Sequence, residues 1–125
     1  MILADSSIWI DHLRRADSRL GALLQTESIV GHAFVTGEIA LGTIATRDRV
    51  VAALEELPQL RVAAPSQVSI LIENHRLWGC GIGYIDAHLL ASVSIAPGTK
   101  LWTRDKRLQA QAERLGVSYA GTAAS

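Results

Sequence analysis

The stretch Met1-Ile2-Leu3-Ala4-Asp5-Ser6-Ser7-Ile8-Trp9-Ile10-Asp11 constrains this chain more than any other. A short apolar run ends on a carboxylate, two hydroxyl residues follow, and an apolar pattern of helical spacing then begins, which reads as strand, tight turn and helix. Asp5 therefore stands at the carboxyl end of a strand. In open α/β sheets ligands bind at that edge, because the strands stop there and helix N-termini form a crevice. Glu38, Asp86 and Asp105 also fall at helix starts or strand ends, which predicts that the four acids meet.

The rest of the chain alternates helical and strand patterns. Ser6 or Ser7 can cap a helix through about Arg15, with either Ile8, Trp9 and Leu13 or Ile10 and Leu13 facing inward. Asp17-Ser18 restarts a helix carrying Leu20, Leu23 and Leu24, beside a basic edge of Arg14, Arg15 and Arg19. Residues 28–31 read as a short buried strand and Thr36 to Gly42 as a short helix. Arg47 to Leu57 has Val50, Val51, Leu54 and Leu57 at amphipathic spacing, closed by Pro58. Leu60 to Ala63 reads as a short strand, and Pro65 opens a helix to Trp78. Three glycines between 79 and 83 end that helix and let the backbone approach a neighbour. Tyr84 to Val93 predicts a buried helix, Lys100 to Thr103 a strand, Asp105 a helix cap, and Val117 to Tyr119 a last strand before a frayed tail at 120–125. Strands separated by helices imply right-handed crossovers and a parallel sheet.

The 125 residues, 49 % of them apolar, match one domain spanning 1–125. With 12 basic and 12 acidic residues, the chain has no global attraction for nucleic acid, so RNA or DNA binding must rest on local Arg and Lys clusters. A single cysteine, Cys80, excludes an intrachain disulfide and any multi-cysteine zinc site, and points to a reducing cytoplasm. No signal-type N-terminus and no uncharged run of ~18 apolar residues occurs, so a soluble, unprocessed protein with no membrane association is expected.

Asp5 and Asp105 each have a local explanation as turn and cap residues, and Glu38 alone reads as a solvated helix residue. Asp86 differs, because Ile85, Ala87, Leu89, Leu90 and Ala91 surround it in sequence. A buried unpaired carboxylate costs several kcal/mol, whereas a helix N-terminus returns only about 0.3–1 kcal/mol. A cation or a partner arginine is needed. Without cysteine clusters or paired histidines, an all-carboxylate site suits Mg²⁺ or Mn²⁺. Carboxylate-held metal ions commonly serve phosphodiester displacement, which makes phosphate-ester hydrolysis the expected reaction class. His12, His32, His75 and His88 lack a metal-ligand spacing and read as surface or packing residues. Trp9, Trp78 and Trp102 are expected in or beside the core. Arg104, Lys106 and Arg107 flank Asp105 at a helix start, where cations oppose the dipole and a phosphate partner would suit them.

Four segments in order, Asp5 to Asp11, Gly37 to Gly42, Gly83 to Ser92 and Leu101 to Leu108, together resemble the PIN domain, and more narrowly the VapC-type toxins of bacterial toxin–antitoxin pairs. The resemblance covers nearly the whole chain. It implies a three-layer α/β/α sandwich with a central parallel sheet, and a Mg²⁺- or Mn²⁺-dependent endoribonuclease acting on tRNA or ribosomal RNA. By position, Asp5, Glu38, Asp86 and Asp105 match the family's acidic quartet, and Ser6 and Thr103 match its supporting polar residues. The same resemblance implies a cytoplasmic homodimer and a groove near Ile10, Leu13, Leu20 and Leu24 for a small antitoxin. Two rivals remain. A phosphatase of the haloacid-dehalogenase kind also carries an Asp after its first strand, but wants a second Asp where Ser7 stands. A catalytically silent PIN-like module would bind RNA or a partner without cleavage, although all four acids are present.

Overall fold

The computed structural model describes residues 1–119; the tail expected to be frayed, 120–125, lies outside the described residues. Strand β1 (Ile2–Ala4) is central, with β2 (Ile29–Val30) and β3 (Lys100–Trp102) parallel on either side. Leu3 pairs with Val30 on one side and Leu101 on the other. Leu3 and Ala4 are both wholly buried although successive residues point to opposite faces. Both faces of the sheet are therefore covered by helices, the condition under which parallel strands become continuous apolar runs, and the α/β layering is PIN-like as expected.

Around the sheet stand α1 (Ser6–Arg14), α2 (Ser18–Gln25), α3 (Ala33–Ala40), α4 (Arg47–Glu56), α5 (Pro65–His75), α6 (Tyr84–Ser94) and α7 (Lys106–Arg114). Ile8 and Trp9 form the inward side of α1, leaving Ile10 and Leu13 at the surface. The expected strand at 60–63 does not form; the pairing there is a single parallel bridge between Gly31 and Gln59. The strand expected at 117–119 is likewise one bridge, Ser118 to Leu101. Each extends the sheet by one pairing at an edge. Helix α5 stops at His75, because Arg76 turns left-handed at φ 52°. No helix of the described residues is long and apolar enough to cross a membrane.

Helix α3 begins earlier than the Thr36 start expected, because His32 caps it. The His32 ring is fully buried: Nδ1 accepts the Phe34 N–H at 3.0 Å, and the ring's other nitrogen meets Ser92 Oγ at 2.9 Å. With Nδ1 accepting, Nε2 must carry the proton and donate to Ser92. Ser92 Oγ also accepts the Ala63 N–H at 3.0 Å. This network joins α3, α6 and the entry to α5. Burial, and secondarily the charge of His88, pushes the His32 imidazole from 6.5 to about 4.

The unfolded chain thus binds a proton below pH 6.5 that the native state refuses until about pH 4, and stability contributed by neutral His32 is lost as pH falls through that window. Comparing urea unfolding of the wild type and His32→Gln cancels contributions common to both. The wild-type advantage should shrink by about 2 kcal/mol between pH 7 and pH 4.5. A pH-independent difference would show that His32 is not held neutral.

Candidate active site

Strand β1 delivers Asp5 to the sheet's carboxyl edge, where its backbone N–H donates to Trp102 O at 3.0 Å. Its side chain, rather than Ser6 or Ser7, caps α1: Oδ1 accepts the N–H groups of Ser7 (3.0 Å) and Ile8 (3.3 Å) and the Ser7 hydroxyl. Oδ2 accepts the Thr103 hydroxyl. Thr103 Oγ1 in turn accepts the Asp105 N–H at 3.0 Å, and Ser7 Oγ accepts the Arg104 N–H at 3.0 Å. One carboxylate thus fastens the start of α1 to the turn between β3 and α7. Ser7, whose part in this was not anticipated, has the sequence signal of a hydroxyl two residues after a turn aspartate.

The other acids reach the same edge from their own helices. Asp105 Oδ1 caps α7, accepting from Arg107 N (2.8 Å) and Leu108 N (3.2 Å). Asp86, in the first turn of α6, accepts the Gly83 N–H at 3.3 Å through Oδ2. Glu38 projects from the last turn of α3 rather than from a helix start as expected. The expectation that Asp86 is the acid most cut off from water is corrected: Asp86 is only half-buried, and Asp5 is 5 % exposed. Asp86 lies in the first turn of α6, immediately before the buried run that begins at Ala87, and its side chain emerges at the rim.

Burial raises the pKa of Asp5 despite the hydrogen bonds from Ser7 and Thr103 that favour its charged form. Glu38 is raised by desolvation first, then by the negative charges of Asp86 and Asp5. Asp86 is raised by desolvation, then by Asp5 and Asp105, against the Gly83 hydrogen bond. Glu38 and Asp86 thus feel each other and Asp5, and Asp86 also feels Asp105. Among the described residues none of them forms an ion pair; the salt bridges are Arg47–Asp48, Arg104–Asp11 and Arg104–Asp17. Nor do three acid, imidazole or thiol groups converge there into a ready-made metal cage. The oxygen-only donor set fits a hard divalent ion that keeps part of its water shell.

Of the flanking cations, Arg104 turns to Asp17 at 2.7 Å and Asp11 at 3.1 Å, with its guanidinium 5.8 Å from the Trp102 ring centroid. Lys106 and Arg107 remain exposed. A groove of about 510 Å³ runs from Glu38 along Ile10 and Leu13 to Ile44. A second hollow, lined by Leu13, Leu24 and Leu57 among others, continues that side. Leu20, expected to line the groove, is fully buried in the core instead. Trp78 departs from expectation in the opposite sense: Trp9 and Trp102 are buried, but Trp78 is 60 % exposed.

No protein-family model matches the chain. It is similar to Ribonuclease VapC32 of Mycobacterium tuberculosis strain H37Rv, with 48 % identity over 120 residues, 96 % of this chain and 97 % of that protein. The protein of the same name from strain CDC 1551 matches to the same extent. Such identity, spanning nearly all of both chains and joined to a PIN-like parallel sheet, shows that this chain belongs to the family of VapC-type ribonuclease toxins.

Proposed function

We propose that this chain is a Mg²⁺- or Mn²⁺-dependent endoribonuclease that hydrolyses phosphodiester bonds in tRNA or ribosomal RNA in the cytoplasm, and that a cognate antitoxin restrains it. The observation that carries the metal dependence is that Asp5, Glu38, Asp86 and Asp105 form no ion pair among the described residues, while the Asp5 carboxylate is tied through Thr103 to the turn that bears Asp105. When bound, the metal supplies charge neutralisation at the phosphate and activation of water for in-line attack. Asp5 and Asp86 are the principal ligands. Asp5 is held rigid by hydrogen bonds from residues on both sides of the site, and Asp86 stands at the rim where substrate arrives.

Glu38 and Asp105 complete the set directly or through water and orient the attacking water by accepting its hydrogen bonds. Thr103 holds Asp5, and Ser6, the first residue of α1, is the second supporting polar residue. Exposed Lys106 and Arg107 meet the RNA backbone as point charges and hydrogen-bond donors. Arg104 contributes through the turn that it ties to Asp11 and Asp17, and one of its nitrogens can still face a phosphate. The groove beside Glu38, with Ile10 and Leu13 at the surface, receives the antitoxin. A homodimer is the working form.

Cleavage of end-labelled tRNA and ribosomal RNA in Mg²⁺ or Mn²⁺ should give discrete products that vanish in EDTA and fall by about 100-fold or more in Asp86→Asn. Intact activity in Asp86→Asn would refute the assignment. The same variant has a second expected outcome. Because the Asp86 carboxyl is raised above its ordinary value, its ionisation weighs against the folded state as pH rises above the unfolded value. In EDTA at pH 7, Asp86→Asn should therefore melt a few degrees higher than the wild type. Added Mn²⁺ should raise the wild-type melting temperature and leave the variant's nearly unmoved. A variant less stable in EDTA would mean that the acids do not strain the fold.

A further inference from the structure

Trp78 and Tyr84 are 60 % and 56 % exposed, at either end of the loop that joins α5 to α6. Large aromatic side chains left in water on both sides of one short loop forgo burial that the core would reward, and such exposure commonly marks a contact surface. Together with Leu77, Ile82 and Gly83 they line a hollow of about 200 Å³. That is less than the roughly 300–1,000 Å³ of a pocket that engulfs a drug-sized ligand. A flat ring could lie on it rather than enter it.

Two contacts join this hollow to the acids. Gly83, part of its lining, donates its N–H to Asp86 Oδ2 at 3.3 Å. On the other flank, the backbone at Gly81 (φ +86°) lies so close to Arg107 that a Cβ there would stand 2.6 Å from Arg107 Cδ and 3.0 Å from Nη1. Arg107 itself gives its backbone N–H to Asp105. The loop that walls the hollow thus touches both the Asp86 carboxylate and the Arg107 side chain, and the Arg107 backbone reaches Asp105. The platform is also braced: the Tyr84 ring stands edge-on to His88 at 4.8 Å, and His88 stands against Phe34 at 4.8 Å.

Building on the ribonuclease reading, we propose that Trp78 and Tyr84 form a stacking platform for an unpaired RNA base adjacent to the phosphate addressed by the acids, with Arg107 meeting the neighbouring phosphate. A π-face beside a guanidinium beside carboxylates matches the alternation of base and phosphate along a single strand, and unpaired bases are recognised largely by stacking on aromatic rings. A base held in a duplex cannot reach the platform. The site accordingly selects loops and single strands.

The test uses the full chain carrying Asp86→Asn, which keeps an acceptor for the Gly83 N–H and leaves RNA uncut. Labelled probes are a single-stranded RNA of mixed sequence, the same strand in a duplex, and an abasic sugar–phosphate strand of equal length. In this background Trp78→Ala should weaken single-strand binding by about 5- to 150-fold. Trp78→Phe should restore most of that affinity, and the abasic strand should bind both alike. Arg107→Ala should instead reduce the salt dependence of binding by about one counterion.

Equal single-strand affinity with and without Trp78 overturns the proposal, as does an equal loss on the abasic strand or the absence of RNA binding by the parent chain. So does conversion of a dimer to a monomer by Trp78→Ala in sedimentation, which would assign the aromatic patch to a second copy of the chain. If the wild type cuts RNA while Trp78 proves neutral, the platform fails and the nuclease reading stands. If binding depends on Trp78 but the wild type never cuts, the nuclease reading fails and the platform stands.

Discussion

Everything at the carboxyl edge of the sheet depends on how the Asp5 carboxylate is held. It is nearly fully buried, and burial disfavours its charge, yet both of its oxygens accept hydrogen bonds from groups that would otherwise be orphaned at a helix start or in a turn. Deleting the carboxylate would free the first turn of α1, the Ser7 hydroxyl and the Thr103 hydroxyl together. The residue that closes the fold at this edge is also the residue the site is built on. Capping and ligation are compatible because Oδ1 takes the three hydrogen bonds from α1, whereas Oδ2 accepts only the Thr103 hydroxyl and keeps a lone pair.

A second, apolar-walled network performs the equivalent task below the site. Neutral His32 fixes the start of α3 through Phe34 N and ties it to Ser92 of α6. Phe34 and Glu38 lie one turn apart on α3, and His88 and Tyr84 one turn apart on α6. The Phe34–His88 contact therefore sets the spacing of the helices that carry Glu38 and Asp86. The hydrogen bonds of His32 and Ser92 specify one arrangement of these helices, whereas His88, whose buried Nδ1 has no partner among the described residues, contributes by packing. The half-exposed Arg104 pairs with Asp11 and Asp17 add little energy individually, but they hold the turn that bears Thr103 and Asp105.

The parts of this arrangement that were legible in the sequence are those with local causes. Asp17 and Asp105 precede helical runs, and an aspartate there has one dominant use; the structure shows both as caps. The central strand was legible because four apolar residues end on a turn signal. Tertiary causes were not legible. Asp86 is surrounded by apolar residues in sequence, but whether a first-turn side chain points inward or toward the rim depends on what α6 packs against. Trp78 follows the left-handed Arg76 at the end of α5 and is carried outward, whereas its composition alone suggested the core. Gln59 and Ser118 hold single bridges because an edge pairing exists only where its neighbour strand allows it, and the apolar run at 60–63 carries no record of that.

The charge balance of the chain and the charge of its site act in opposite directions. Overall neutrality gives RNA no long-range pull, and four unpaired carboxylates at one edge repel a phosphodiester locally. What favours approach is local: Lys106, Arg107, the remaining nitrogen of Arg104 and the exposed aromatics. Stacking carries no charge and is insensitive to that repulsion, so it can hold a strand beside acids where point charges alone would be partly cancelled. On the proposed reading, a nearly neutral ribonuclease of this size has reason to leave a tryptophan in water: an aromatic surface supplies attraction that does not also neutralise the carboxylates of the candidate site.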